Sequence, residues 1–319
     1  MSHFYSIRAP ASFDDCTDVS PECPVGATVL GYVPNMGSSI FFAIGFGLCL
    51  VGALGLGIWK RTWTFCAAVS AGALLECLGY IGRALMHANV WNKNAFQIQI
   101  CCIIIAPTFL CAAIYLTLKH VCLALNPSLS RIAPRWYPRV FLPADLSCLI
   151  IQAIGGGVAA AASREDRSAA QNGNRTIIAG VALQVVVLLS FGVMGADYYV
   201  RVRKYMRSPD VDPTALSVWK DSKFRQFAYA VTVAYLCILI RCIYRIAEMA
   251  GGWGNHIMQD EASFLVLDAG LVLVTSALLT IFHPGLLFPQ MRTGGASPVT
   301  VETEKSGESS NEGVKVENA

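Results

Sequence analysis

Apolar positions along this chain fall into seven long runs, at about 37–59, 63–87, 97–119, 137–162, 176–200, 224–247 and 263–287. Residues 94–118, 176–196 and 269–291 carry no charged side chain at all. Each run reaches the roughly 20 residues that a helix needs to cross hydrocarbon, where every backbone amide must be satisfied within its own segment. The second and sixth runs are interrupted by Glu76, Arg83, Arg241 and Arg245. The pattern predicts an all-α integral membrane protein, a bundle of seven transmembrane helices over 37–287. An extracytoplasmic segment over 1–36 precedes it, and a disordered cytoplasmic tail over 288–319 follows, rich in Ser, Thr, Gly and Glu.

Composition agrees: 55% of residues are hydrophobic and 14% charged, against roughly 25% charged in a soluble domain. Lys and Arg set the expected orientation. The first, third and fifth connections and the tail hold two, four, seven and three of them, against five on the other side (Arg8, Lys93, Arg164, Arg167 and Arg175). That asymmetry predicts an N-terminus outside and a cytoplasmic C-terminus. Trp59, Trp63, Trp91, Trp136 and Trp253 stand near run ends, where amphipathic rings prefer the interface.

Most of the twelve cysteines lie inside apolar runs and read as small hydrophobes. Cys16 and Cys23, in the polar leading segment, can form a disulfide on the outer side. The one permitted N-glycosylation sequence, Asn174-Arg175-Thr176, is predicted to fall in an outer loop. The net charge of +3 does not suggest nucleic acid as a partner. No metal-ligand spacing, nucleotide loop or catalytic signature is present, so neither an enzyme nor a cofactor is expected. The partners implied by composition are membrane lipids, and no protein partner is legible.

Charges at membrane depth cost about 2.5–3.5 kcal/mol each on insertion scales and so mark function or packing. At about 1.5 Å rise per residue, Glu76 lies roughly 22 Å above Arg61, Arg241 about 24 Å above Arg225, and Asp268 about 10 Å below Glu261. Glu76, Tyr80 and Arg83 share one helix face, as do Arg241, Arg245 and Glu248. With Asp268 they predict a polar network between helices two, six and seven in the outer half of the bilayer. Asp145, with Gln152 on the same face, belongs to the inner half. The network reads equally as interhelical salt bridges that fix packing and as a substrate-binding site. Asp197 reads as an interfacial partner of Arg201. Pro107 is expected to kink helix three, and His283-Pro284-Gly285 to end helix seven. Ala53/Gly57, Gly155/Ala159 and Gly192/Ala196 read as close-packing faces.

Several of these residues form combinations found together. Gly31-Tyr32-Val33-Pro34 precedes the first run, and Glu76-x-x-Gly79-Tyr80-x-x-Arg83 lies in the second. Ala106-Pro107 with Ala112-Ala113 and Tyr115 follows in the third, Asp145 with Gln152, Gly155 and Gly156 in the fourth, and Arg241-x-x-Tyr244-Arg245-x-x-Glu248 in the sixth. Over about residues 31–290 the chain resembles the fungal lipid-translocating exporter family, seven-helix proteins linked to aminocholesterol and sphingoid long-chain-base resistance. The resemblance implies a plasma-membrane or endomembrane protein that exports an amphipathic lipid or lipophilic small molecule and confers resistance. The alternative, from architecture and the basic fifth connection, is a seven-helix receptor or lipid-stress sensor.

Overall fold

The computed structural model describes residues 16–161, 167–209, 211–250 and 255–288. Among them are seven helices long and apolar enough to cross a membrane. They are α1 (Met36–Lys60), α2 (Trp63–Ala88), α3 (Lys93–Leu125), α4 (Trp136–Ala161), α5 (Arg167–Tyr205), α7 (Ser222–Ala250) and α8 (Glu261–Leu287). A short α6 (Pro213–Lys220) lies in the connection between α5 and α7. No β-strand forms among the described residues. The chain is a multi-pass membrane protein. The expected tail beyond residue 288 lies outside the described residues, as do Arg8, Arg164 and Trp253.

α1, α2 and α4 end within a residue of the apolar runs 37–59, 63–87 and 137–162, and capping groups stand at several helix starts. The Asn35 side chain accepts from Ser38 N–H, Asn92 from Ala95 N–H, Asp212 from Thr214 N–H and Asp260 from Ala262 N–H. α3 and α5 run beyond 97–119 and 176–200 at both ends, and Asn92 marks where α3 begins. α1 closes with Arg61 in the left-handed region (φ 55°), its N–H and that of Thr62 bonding back to the carbonyls of Ile58 and Gly57. Only Arg61 and Thr62 separate α1 from α2, so the two run antiparallel as a tight hairpin.

α8 is interrupted twice. Leu265–Gly270 forms a π-helical turn that re-aims Asp268 inward. Past Ile281 the helix stops; His283 Nδ1 then accepts from Gly285 N–H, and Pro284–Leu287 makes one further turn. That acceptor role leaves His283 Nε2 to donate to Thr62 Oγ1 at 3.3 Å, tying the far end of α8 to the α1–α2 turn. Pro107 is accommodated inside a continuous α3.

The most extensive interfaces join α1 to α2, α2 to α3, and α4 to α5, while α8 lies against α7 and α1. α4 and α5 meet backbone to backbone: a methyl group on Gly173 would fall 2.7 Å from the Gly155 carbonyl oxygen. Elsewhere the bundle shows apolar side chains outward; Leu48 and Val51 are each 69% exposed within the protein, a surface that lipid covers. The sequon is a correction to expectation. α5 begins at Arg167, so Asn174 sits on a helix and not in a loop, with its side-chain oxygen buried and without a hydrogen-bond partner.

Residues 16–35 pack over one end of the bundle, here termed the amino end. Cys16 and Cys23 are disulfide-bonded. The Trp91 indole donates to the Cys23 carbonyl at 3.2 Å, Asn89 Nδ2 to the Thr17 carbonyl at 2.7 Å, and Leu30 packs on Met86 and Ala95. At the opposite end Asp197 pairs with Arg131 (2.8 Å) and Arg201 (2.9 Å) on an exposed surface. Solvent reaches both partners there, so the contribution is small.

Candidate functional site

The i, i+4, i+7 spacing on α2 buries Glu76, Tyr80 and Arg83, each 0% exposed. The same spacing on α7 buries Arg241, Arg245 and Glu248, and the π turn of α8 adds Asp268. All but Arg83 converge on the core between α2, α3, α7 and α8. Arg241 Nε lies 2.8 Å from Asp268 Oδ1, both side chains nearly inaccessible. The approach is off the N–H axis, so the contact is one of charge more than of a linear hydrogen bond. Arg241 Nη2 donates in addition to the Ile103 carbonyl at 3.0 Å. That carbonyl is free because the residue four places on is Pro107, which has no N–H to give it. The proline of α3 thereby supplies an acceptor to an arginine of α7. Arg245 pairs with Glu248 one turn further along the same helix.

Arg83 does not join this group. Its Nη2 donates to Tyr32 Oη at 2.8 Å and to Glu261 Oε1 at 2.9 Å, and its guanidinium lies over the rings of Tyr32 (5.6 Å) and Phe264 (4.8 Å). Asn35 N–H donates to the same Glu261 oxygen at 2.9 Å. Burial holds the Tyr32 hydroxyl above its ordinary range, so it meets Arg83 as a neutral acceptor. The leading segment, α2 and α8 are thus latched together at the amino end. Neither Tyr32 nor Glu261 was singled out from sequence as a partner. The available signal was a pair of acids, Asp260 and Glu261, opening α8 at the same end as the one arginine of α2.

With Arg241, Arg245 and Arg83 each matched to an acid, Glu76 is left over. Both its carboxyl oxygens are sealed inside the protein and receive no hydrogen bond, and the Tyr80 hydroxyl is likewise unpartnered. The charges acting on Glu76 are those of Asp268, Arg241 and Arg245. The Tyr80 ring stacks against Phe42 (5.1 Å) and Phe46 (5.7 Å) of α1, which shields the site from that side.

Asp145 and Gln152 belong to a second polar group. Asp145 Oδ2 accepts from Tyr115 Oη at 2.7 Å, and the Tyr115 ring is held between Phe141 (5.6 Å) and Phe191 (4.5 Å). Gln152 Nε2 donates to Gln184 Oε1 at 3.2 Å. Gln184 is an unanticipated member: it sits in an otherwise apolar stretch of α5. Gln152 and Gln184 line a cleft of about 10 Å³ with Arg241 and Arg245. A second cleft of about 30 Å³ runs from Arg245 and Glu248 past Gln99 to Arg83, Tyr32 and Leu30 at the amino end. Volumes of this size hold one or two waters and no lipid chain.

Among the described residues no cluster of three or more His, Cys, Asp or Glu side chains is placed to hold a metal. The site is a closed, partly matched set of charges between apolar helices.

A family model described as RTA1 like protein matches residues 69–291, a span that contains every ionisable residue of the group around Glu76. The chain is similar to the sphingoid long-chain base transporter RSB1 of Saccharomyces cerevisiae (strain ATCC 204508 / S288c), 31% identical over 295 residues that cover 85% of this chain and 76% of that one. In the same yeast it is similar to protoporphyrin uptake protein 1, 27% identical over 200 residues (62% and 61% of the two chains). Protein RTA1 is 26% identical over 211 residues (66% and 62%). No solved structure matches the chain. A seven-helix bundle of this pattern, matched by the family model over most of its length, belongs to the RTA1-like family.

Proposed function

We propose that this protein exports amphipathic lipids or lipophilic toxic compounds across the plasma membrane, amine-bearing long-chain lipids first among them, and so confers resistance to them. The observation that carries the proposal is Glu76: a carboxyl group at membrane depth, fully buried, with no donor to either oxygen. An unpaired carboxylate removed from water costs several kcal/mol. A cationic headgroup offsets that cost, while an alkyl tail is accommodated by the apolar helix faces around it. Arginines cannot serve, because each of the three nearby is already matched. The likeness to a protein named as a sphingoid long-chain base transporter points to the same substrate class.

The amino end faces outward in this proposal, since the connections at the opposite end carry most of the Lys and Arg. Catalysis has no part in it; binding and rearrangement of helices suffice. The two clefts are too small for a lipid, so the described state is closed, and cargo enters when helices part.

The test is a Glu76→Gln substitution. With surface expression confirmed, efflux of labelled sphinganine from cells carrying the variant is expected to fall at least about tenfold, which corresponds to about 1.4 kcal/mol of lost binding. Undiminished efflux would remove Glu76 from the transport site.

A further inference from the structure

We infer that export through this site is an electroneutral exchange, in which one proton held by Glu76 is traded for one cationic amine. The inference rests on the function proposed above and deepens it by naming the counter-ion.

Four observations lead there. Neither carboxyl oxygen of Glu76 has a hydrogen-bond donor or contact with solvent in the closed state. The groups that face it are Asp268 from α8, Arg241 and Arg245 from α7, Tyr80 from its own helix and Cys102 from α3. Both arginines are matched, by Asp268 and Glu248, so the surroundings supply no spare positive charge. From α1 come only the phenyl rings of Phe42 and Phe46 that stack on Tyr80. A proton is the one cation that balances this carboxylate without needing any volume, and an ion left bare here would be prohibitively expensive.

The cleft between Tyr32 and Arg245 brings the amino end as close to Glu76 as Arg245, and stops there. It reaches from a direct electrostatic neighbour of Glu76 to the amino end and has room for water. The cycle then balances. With the site open to the cytoplasm, the ammonium headgroup displaces the proton, which leaves to water on that side, and the amine keeps its own. With the site open outward, a proton from the outer solution reaches the carboxylate and releases the amine. One positive charge moves each way, and the inward proton gradient drives export.

The experiment needs only the purified full chain in detergent. At pH 7, in weak buffer, sphinganine is titrated in while protons are counted with a pH dye. The sphinganine amine is largely protonated at that pH, and pairing with a carboxylate can only make it take up more protons, so any proton released comes from the protein. About one proton per sphinganine bound is expected for the wild type by linkage. N-acetylsphinganine, which carries no charge, is expected to release none, and Glu76→Gln to release none. If Glu76→Gln fails to fold, the wild-type stoichiometry still decides. Sphinganine bound without proton release, or binding that instead depends on sodium when sodium replaces choline in the buffer, overturns the exchange and leaves the proposed function standing. Absence of any sphinganine binding to the wild type overturns the proposed function, and the exchange with it.

Discussion

Replacing Asp268 by Asn tests whether the charge pair at the centre of the bundle holds the fold. Arg241 and Asp268 stand 2.8 Å apart with side chains 4% and 1% exposed. Removing the acid leaves a guanidinium whose remaining hydrogen bond among the described residues goes to the Ile103 carbonyl, with its charge partner gone. Stranding one partner of a buried pair costs about 3–5 kcal/mol, whereas replacing both by apolar groups of similar volume is neutral or stabilising by about 1–4 kcal/mol. At about 2–4 °C per kcal/mol for chains of 150–250 residues, Asp268→Asn is expected to melt roughly 6–20 °C below wild type. Arg241→Met combined with Asp268→Leu is expected to recover most of that loss. Melting is followed by size-exclusion chromatography of the heated, detergent-solubilised protein. An Asp268→Asn variant within about 2 °C of wild type would refute the reasoning, because a change that small is under about 1 kcal/mol. So would a double variant no better than the single one, since the cost would then not arise from an unmatched charge.

Three further outcomes follow from the same geometry. Gly173→Val places its side chain against the Gly155 carbonyl and is expected to cost about 3 kcal/mol or more, seen as loss of folded protein on size exclusion; Ala at the exposed Gly157, where a Cβ meets nothing, serves as the neutral control. Glu261→Ala removes the acceptor shared by Arg83 and Asn35, and hydrogen exchange across residues 30–36 is expected to quicken about tenfold, the equivalent of about 1.4 kcal/mol. Tyr115→Phe leaves the buried Asp145 carboxyl without its donor and is expected to cost about 1–3 kcal/mol in thermal stability while leaving surface targeting intact.

The spans could be read from sequence because hydrocarbon imposes one requirement, an uncharged stretch of fixed minimum length, and seven stretches meet it. Helix ends were less legible for α3, since a cap such as Asn92 acts in water and lets the helix project from the membrane. The faces of α2 and α7 were legible too, through the i, i+4, i+7 repeat of ionisable side chains. Their partners were not. Sequence placed Arg83 with Glu76 and Asp268 in one network, but Arg83 reaches the other way, to Tyr32 and Glu261, because the leading segment folds back over the amino end. That fold-back depends on Trp91, Asn89 and Leu30 contacts far apart in the chain, which periodicity cannot reveal. Pro107 shows a different gap. Its missing donor was legible; that the orphaned Ile103 carbonyl would receive Arg241 required knowing which helix lies beside α3.

The glycine contact between α4 and α5 also constrains how the bundle can open. Two rods touching through their main chains have no side-chain layer to yield between them, so the joint resists being prised apart. The α1–α2 hairpin is short-looped and clamped at its base by Thr62 and His283. The joints between α3 and α4 and between α5 and α7 flank the Gln152–Gln184 cleft, a small void to which all four helices contribute side chains.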